Sequence, residues 1–210
     1  MHRGTATIGQ VLAALAISLL SAVPGALADS SAADIKNCPD GNWCTYHRDH
    51  NGWRYSPLQE IDAGNVKNLK VAWIFNPGHH HQGIHSTPLA IDGTVYVSTN
   101  PSTVWALNGA TGERKWAYVP DLYQEVVARS FFAHTRGLAA GDGRIYMGVA
   151  DGRVIALSER SGNLMWDKRL IDSAKETVGF SGAGSFVSSD LLVIGQNGGE
   201  YPVEGKIFGL

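Results

Sequence analysis

The chain has 210 residues, 44% of them apolar and 17% charged, with a formal charge of −2. That composition suits one ordinary soluble domain, or one and a half. With 17 Lys and Arg against 19 Asp and Glu, it excludes the basic excess that a nucleic-acid surface requires.

Membrane spans are excluded as well, apart from the first residues. His2 and Arg3 form a short basic region, Ile8–Leu20 is mostly apolar, and Ala26-Leu27-Ala28 follows the helix-breaking Pro24-Gly25. This order predicts a secretory signal peptide over residues 1–28, cleaved after Ala28, with no transmembrane span in the mature chain and a periplasmic location. An uncleaved anchor helix is the alternative, disfavoured because Thr5, Thr7, Gly9 and Gln10 shorten its hydrophobic core. Export into an oxidising compartment pairs the two cysteines, Cys38 and Cys44, across the turn at Pro39-Asp40-Gly41. So small a loop makes the bridge a local staple worth about 2 kcal/mol.

The strongest signal further along is repetition. Asp92-Gly93-Thr94-Val95-Tyr96-Val97 returns as Asp142-Gly143-Arg144-Ile145-Tyr146-Met147, Ala106-Leu107 as Ala156-Leu157, Thr111-Gly112 as Ser161-Gly162 and Trp116 as Trp166, always 50 residues on. A third copy begins at Asp190–Gly195 and resumes at Lys206–Leu210 after an insertion around Glu200–Glu204, and an incomplete opening unit ends at Val71-Ala72-Trp73. Each unit reads as three strands: one after the Asp-Gly turn (Thr94–Thr99, Arg144–Val149), a second (Val104–Leu107, Val154–Leu157), and a third that follows a Thr-Gly or Ser-Gly turn and ends in Trp. Short antiparallel strands repeating at this spacing predict an all-β fold, a β-propeller, in preference to a β-sandwich. A Trp fixed in each blade can pack its ring between neighbouring blades and give its indole N–H an acceptor there.

Several segments resemble one family. Trp53-Arg54-Tyr55-Ser56-Pro57-Leu58 with Ile61, Asn65-Val66, Leu69 and Ala72-Trp73 is similar to the opening of the pyrroloquinoline-quinone (PQQ) dependent alcohol and methanol dehydrogenases. So are the Ala-Leu-x-x-x-Thr-Gly-x-x-x-Trp motif, Arg136-Gly137-Leu138-Ala139 and Gly198-Gly199-Glu200. The resemblance covers residues 40–210. It implies an eight-bladed propeller holding PQQ and Ca²⁺ or a lanthanide. The implied reaction oxidises an alcohol or related hydroxyl substrate and passes electrons to a cytochrome c or a quinone.

On the matched positions, the resemblance implies that Arg136 contacts PQQ, where a guanidinium can grip a carboxylate or quinone oxygen bidentately. It implies a metal-ligand role for Glu200, a hard oxygen donor. Asn197, Gly198 and Gly199 match the run beside the cofactor, and Ser181 falls near a hydroxyl contact. The chain departs from the family at three places. His85 stands where a cofactor-contacting glutamate is usual, Ser130-Phe131 where many members carry vicinal cysteines, and Glu204 where an arginine is usual. The cluster His79-His80-His81 and the pair His47 and His50 read as solvated loop residues or adventitious metal ligands, while His134 precedes Arg136 by two residues and has an open placement between core, surface and site.

About three and a half blades are expected, an N-terminal fragment whose two open faces, at about 500 Å² each, would cost of order 12 kcal/mol apiece at about 25 cal/mol/Å². In the family the catalytic aspartate and the remaining metal ligands come from later blades, so this polypeptide alone is expected to be inactive. The competing expectation is a non-catalytic propeller scaffold that binds protein partners in the periplasm, of the outer-membrane-assembly type.

Overall fold

The computed structural model describes residues 35–78, 83–122, 135–172, 176, 179–180, 182, 184–188, 190–198 and 203–210. Three antiparallel sheets follow one another. The first holds β1 (Leu89–Ile91), β2 (Thr94–Thr99), β3 (Thr103–Asn108) and β4 (Arg114–Tyr118) in sequential order. The second repeats that order with β5 (Ala139–Gly141), β6 (Arg144–Gly148), β7 (Arg153–Ser158) and β8 (Leu164–Arg169). The third has β9 (Ser185–Ser188), β10 (Leu191–Gly195) and β11 (Ile207–Gly209), with β10 in the centre. No helix among the described residues is long and apolar enough to cross a membrane.

Each complete blade therefore has four strands where the sequence pattern announces three. The additional ones, β1 and β5, precede the Asp-Gly turns. Leu-Ala-Ile and Ala-Ala-Gly carry little β-branched signal, yet pairing with β2 and β6 holds them extended, and they are nearly all buried. They lie innermost, where small side chains let neighbouring sheets approach. A Cβ added at Gly141 would overlap the Phe186 ring of the third sheet. The outer strands β4 and β8 are mostly exposed, so burial falls from the inner edge of each sheet to the outer one.

The repeated turns explain the register. Asp92 and Gly93 have φ of 46° and 71°, and Asp142 and Gly143 have 49° and 69°. Two consecutive left-handed residues make the tight hairpin whose twist matches that of the strands, pairing Ile91 with Thr94 and Gly141 with Arg144.

The tryptophans join one unit to the next. Trp73 donates its indole N–H to the Gly109 carbonyl (2.9 Å), and Trp116 donates to the Glu159 carbonyl (3.1 Å). A Cβ on Gly112 would come within 2.6 Å of the Trp73 ring, and one on Gly162 within 2.6 Å of Trp116. Glycine in these turns is therefore the space into which the preceding tryptophan docks. Tyr96 backs Trp116 and Tyr146 backs Trp166 at nearly the same separation and tilt, 5.8 Å at 46° and 6.0 Å at 47°.

The opening unit is different. Residues 52–78 contain one 3₁₀ turn (Val66–Asn68) and no strand, although Trp73 docks as the pattern requires. Its apolar side chains face outward, with Trp53 80%, Val71 76% and Ile74 85% exposed, and Ile207 on β11 is 81% exposed at the other end of the stack. Ahead of it, Cys38 and Cys44 form the expected disulfide, and Trp43 exchanges two backbone hydrogen bonds with Ala90 on the free edge of β1. Asn42 and Asp92 bond each other reciprocally at 3.1 Å, fixing this added rung to the first hairpin turn.

Candidate functional site

The topology sends two kinds of connection to opposite ends of the sheets. The Asp-Gly, Thr-Gly and Ser-Gly turns share one end, where Gly109 N–H donates to the Gly93 carbonyl and Glu159 N–H to the Gly143 carbonyl. At the other end the chain enters β1 through residues 83–88 and β5 through 135–138, and it leaves β2, β6 and β10. The segments entering β1 and β5 run parallel and in contact: Thr87 bridges Gly137, and the Thr87 N–H donates to the Arg136 carbonyl (3.2 Å).

This second end gathers the described members of the predicted site. His85 and Arg136 stand on the two adjacent entering segments, both exposed. Asn197 and Gly198 follow β10 and are half-buried, with the Asn197 N–H donating to the Gly179 carbonyl (3.1 Å). Gly198 has φ 138°, which a side chain would strain. Ser181, Gly199 and Glu200 lie outside the described residues, as do Ser130, Phe131, His134 and the triple His79-His80-His81.

Residues that sequence reasoning missed hold these segments. Asn100, 5% exposed in the β2–β3 loop, donates its amide to the Gly83 carbonyl (2.7 Å) and accepts from the Thr135 N–H (3.0 Å). Ser86 and Ser98 share a 2.8 Å hydroxyl contact, and Ser102 Oγ accepts from the Ala150 N–H (3.1 Å), joining the first sheet's loop to the second's. Asp151 is fully buried and binds Arg153 through both carboxylate oxygens (3.0 and 2.9 Å to Nε). Arg153 also reaches Asp167 (2.6 Å) and the Asp121 carbonyl (2.6 Å), where the chain leaves β4. Burial alone opposes the Arg153 charge, but the bonds to Asp151 and Asp167 outweigh it and push its pKa further up.

A second anchor closes the base of the segment after β10. Gln196 N–H donates to the Lys206 carbonyl (2.8 Å), and the Glu176 carboxylate accepts from Gln196 Nε2 and Lys206 Nζ, each at 2.6 Å. The Lys206 bond and then the Gln196 bond hold the Glu176 carboxyl below the usual carboxylate range. None of these residues keeps its identity 50 residues away, so periodicity gives no sign of them.

The chemistry on offer at this end is anion recognition. The Arg136 guanidinium is exposed and has no ion-pair partner among the described residues. Beside it, Thr135 is 1% exposed and its hydroxyl has no hydrogen-bond partner among the described residues. A buried hydroxyl without a partner costs about 1–3 kcal/mol, which a ligand oxygen would relieve. Thr45, Tyr46, His47, Asp49 and His50, with Ala139, Ala140 and Phe186, line a cavity of about 540 Å³. The His47 ring accepts from Arg54 Nε (2.7 Å). Among the described residues no group of three or more His, Cys, Asp or Glu is disposed to hold a metal ion.

Comparison with known proteins gives this end a context. Residues 43–167, more than half of the chain, match the PQQ family described as glucose/ethanol/alcohol dehydrogenase, β-propeller domain. The dehydrogenase subunit of the quinone alcohol dehydrogenase of Gluconacetobacter polyoxogenes is 34% identical over 97% of the chain and 28% of its own length. The lanthanide-dependent methanol dehydrogenase of Methylacidiphilum fumariolicum is 33% identical over 91% of the chain and 31% of its own length. The solved structure of the quinohemoprotein alcohol dehydrogenase ADHIIG from Pseudomonas putida HK5 superposes with a TM-score of 0.80 at 30% identity, covering 86% of this chain and 27% of that one. The chain thus spans between a quarter and a third of the length of these relatives.

Proposed function

The chain belongs to the PQQ dehydrogenase β-propeller family, and we propose on that basis that it forms part of a periplasmic PQQ-dependent dehydrogenase. The substrate is an alcohol or related hydroxyl compound, and the electrons pass to a cytochrome c or a quinone. The observation that carries the reading is the juxtaposition of the segments bearing His85 and Arg136 at the end of the sheets where Asn197 and Gly198 also lie.

The residues present suit the cofactor. PQQ is an anionic ortho-quinone, and this end offers the Arg136 guanidinium and the buried Thr135 hydroxyl, neither of which has a partner among the described residues. When bound, PQQ supplies the two-electron acceptor that no side chain can provide. Arg136 orients it through a carboxylate or quinone oxygen. His85 offers a hydrogen bond where a glutamate would bring a negative charge, so the pocket is more favourable to an anion. Asn197, Gly198 and Gly199 let backbone approach the ring, Ser181 adds a hydroxyl, and Glu200 supplies an oxygen ligand for Ca²⁺ or a lanthanide. The first 28 residues direct export, and the mature chain begins at Asp29.

The test is titration of the complete protein of which this chain forms part with PQQ in the presence of Ca²⁺, followed by tryptophan quenching. The expected result is saturable binding that Arg136→Ala weakens about 10- to 100-fold, the scale of a hydrogen bond to a charged group. Equal binding by both proteins would place Arg136 away from the cofactor. Absence of binding by the complete wild-type protein would overturn the reading.

A further inference from the structure

We infer that Asn100 is a positioning residue that sets the spacing between the segments carrying His85 and Arg136; the inference rests on the proposed role of those segments at the cofactor. A single buried amide touches both. Its Nδ2 donates to the Gly83 carbonyl (2.7 Å), two residues before His85, and its Oδ1 accepts from the Thr135 N–H (3.0 Å), one residue before Arg136. An asparagine amide offers a donor and an acceptor in one rigid plane, so the distance between those two backbone groups is fixed by the side chain itself.

The surroundings give the amide this control. A direct backbone link between the two segments is the Thr87 N–H bond to the carbonyl of Arg136 itself, two residues past His85 in the direction of the strands. On the near side Asn100 supplies the connection, so the pair is held from both ends. Asn100 is held in turn by its loop, in which Ser98 N–H donates to Ser86 Oγ (3.3 Å) and Ser102 Oγ accepts from the Ala150 N–H (3.1 Å). The second blade has Ala150 at the corresponding place, 50 residues on, where no such bridge can form. The amide is thus specific to the one junction that joins His85 to Arg136. Backbone groups tied to one another through a single side chain lose order when it is removed.

Two variants of the chain separate this role from general support. Asn100→Asp keeps an acceptor for the Thr135 N–H and loses the donor to Gly83, whereas Asn100→Ala loses both. Hydrogen exchange followed by mass spectrometry, without cofactor, should show faster exchange over 83–87 alone in Asn100→Asp, and over both 83–87 and 135–138 in Asn100→Ala. The turn-end peptides containing Gly93 and Gly143 should stay at wild-type rates. PQQ affinity should fall about tenfold in Asn100→Asp and further in Asn100→Ala, the scale of one or two lost hydrogen bonds. Wild-type exchange in both segments of Asn100→Ala would overturn the inference, as would faster exchange spread evenly over the molecule. If the complete wild-type protein binds no PQQ, the cofactor reading fails by itself while the exchange pattern still decides whether Asn100 ties the two segments.

Discussion

The two ends of the same sheets obey different rules. At the turn end, the positions that set the backbone recur 50 residues apart: Asp92 and Asp142, Gly93 and Gly143, Gly112 and Gly162. Their geometry is the same too, from the left-handed φ values to the 2.6 Å approach that a Cβ would make to the docked tryptophan. At the opposite end every pair differs. His85 and Ser86 become Thr135 and Arg136, Thr87 becomes Gly137, and Ser98 to Thr103 become Gly148 to Arg153 with no residue kept. One end docks each blade on the next in the same way; the other carries contacts that are made once, such as the Asn100 bridge and the Asp151–Arg153 pair. Repetition builds the scaffold, and departures from it mark where the chain does something other than repeat.

The largest expected effect comes from the unrepeated end. Asp151 is fully buried and binds Arg153 with both oxygens, and its counterpart 50 residues earlier is Pro101. Asp151→Asn leaves a guanidinium that is only 14% exposed with Asp167 as its remaining acidic partner. Removal of one member of a buried pair costs about 3–5 kcal/mol, and the surviving Asp167 contact puts the expected loss near the low end. Denaturant unfolding should show it, and a loss below about 1 kcal/mol, the level of a surface pair, would mean that this network adds little to the fold.

Next comes the repeated end, where equality itself is the prediction. Gly112→Ala and Gly162→Ala each impose a left-handed alanine and drive a methyl into an indole ring. Together these cost about 2–3 kcal/mol, and the two variants should agree closely because a Cβ meets the docked indole at the same 2.6 Å in both. Gly41→Ala, where a Cβ meets nothing within 4 Å, is the control and should be near neutral. A large difference between Gly112→Ala and Gly162→Ala would break the equivalence of the two docking sites.

The same contrast explains what could be read from the sequence. The strands following the Asp-Gly turns, the docking tryptophans and the Cys38–Cys44 bridge were legible because each rests on a local pattern or on the repeat. The inner strands β1 and β5 were not, since Leu-Ala-Ile and Ala-Ala-Gly become strands through pairing and burial, which no short window reveals. Arg136 and His85 were singled out only through resemblance to a family. Asn100, Thr135 and Glu176 were invisible, because a buried hydrogen bond between two non-repeating loops leaves neither a period nor a motif.

The smallest expected effect tests the anchor beneath the segment after β10. Glu176 joins Lys206 and Gln196, and those bonds lower its pKa from an ordinary value of 4.5. A carboxyl whose folded pKa is depressed contributes stability that is fully present above the unfolded value and is lost as pH falls through the folded one. The contribution should therefore be intact at neutral pH, begin to decline below about 4.5, and disappear once the folded carboxyl is protonated. The Glu176 side chain is 24% exposed and that of Lys206 39%, so solvent screening limits the gain to about 0.5–1 kcal/mol. Glu176→Gln should remove it at neutral pH and flatten this part of the acid dependence. Because Gln196 and Lys206 bracket residues 197–205, hydrogen exchange in that segment should quicken in the variant and, in the wild type, below the transition. An unchanged acid profile, with unchanged exchange, would show that the backbone bond from Gln196 to Lys206 closes the segment without help from the carboxylate.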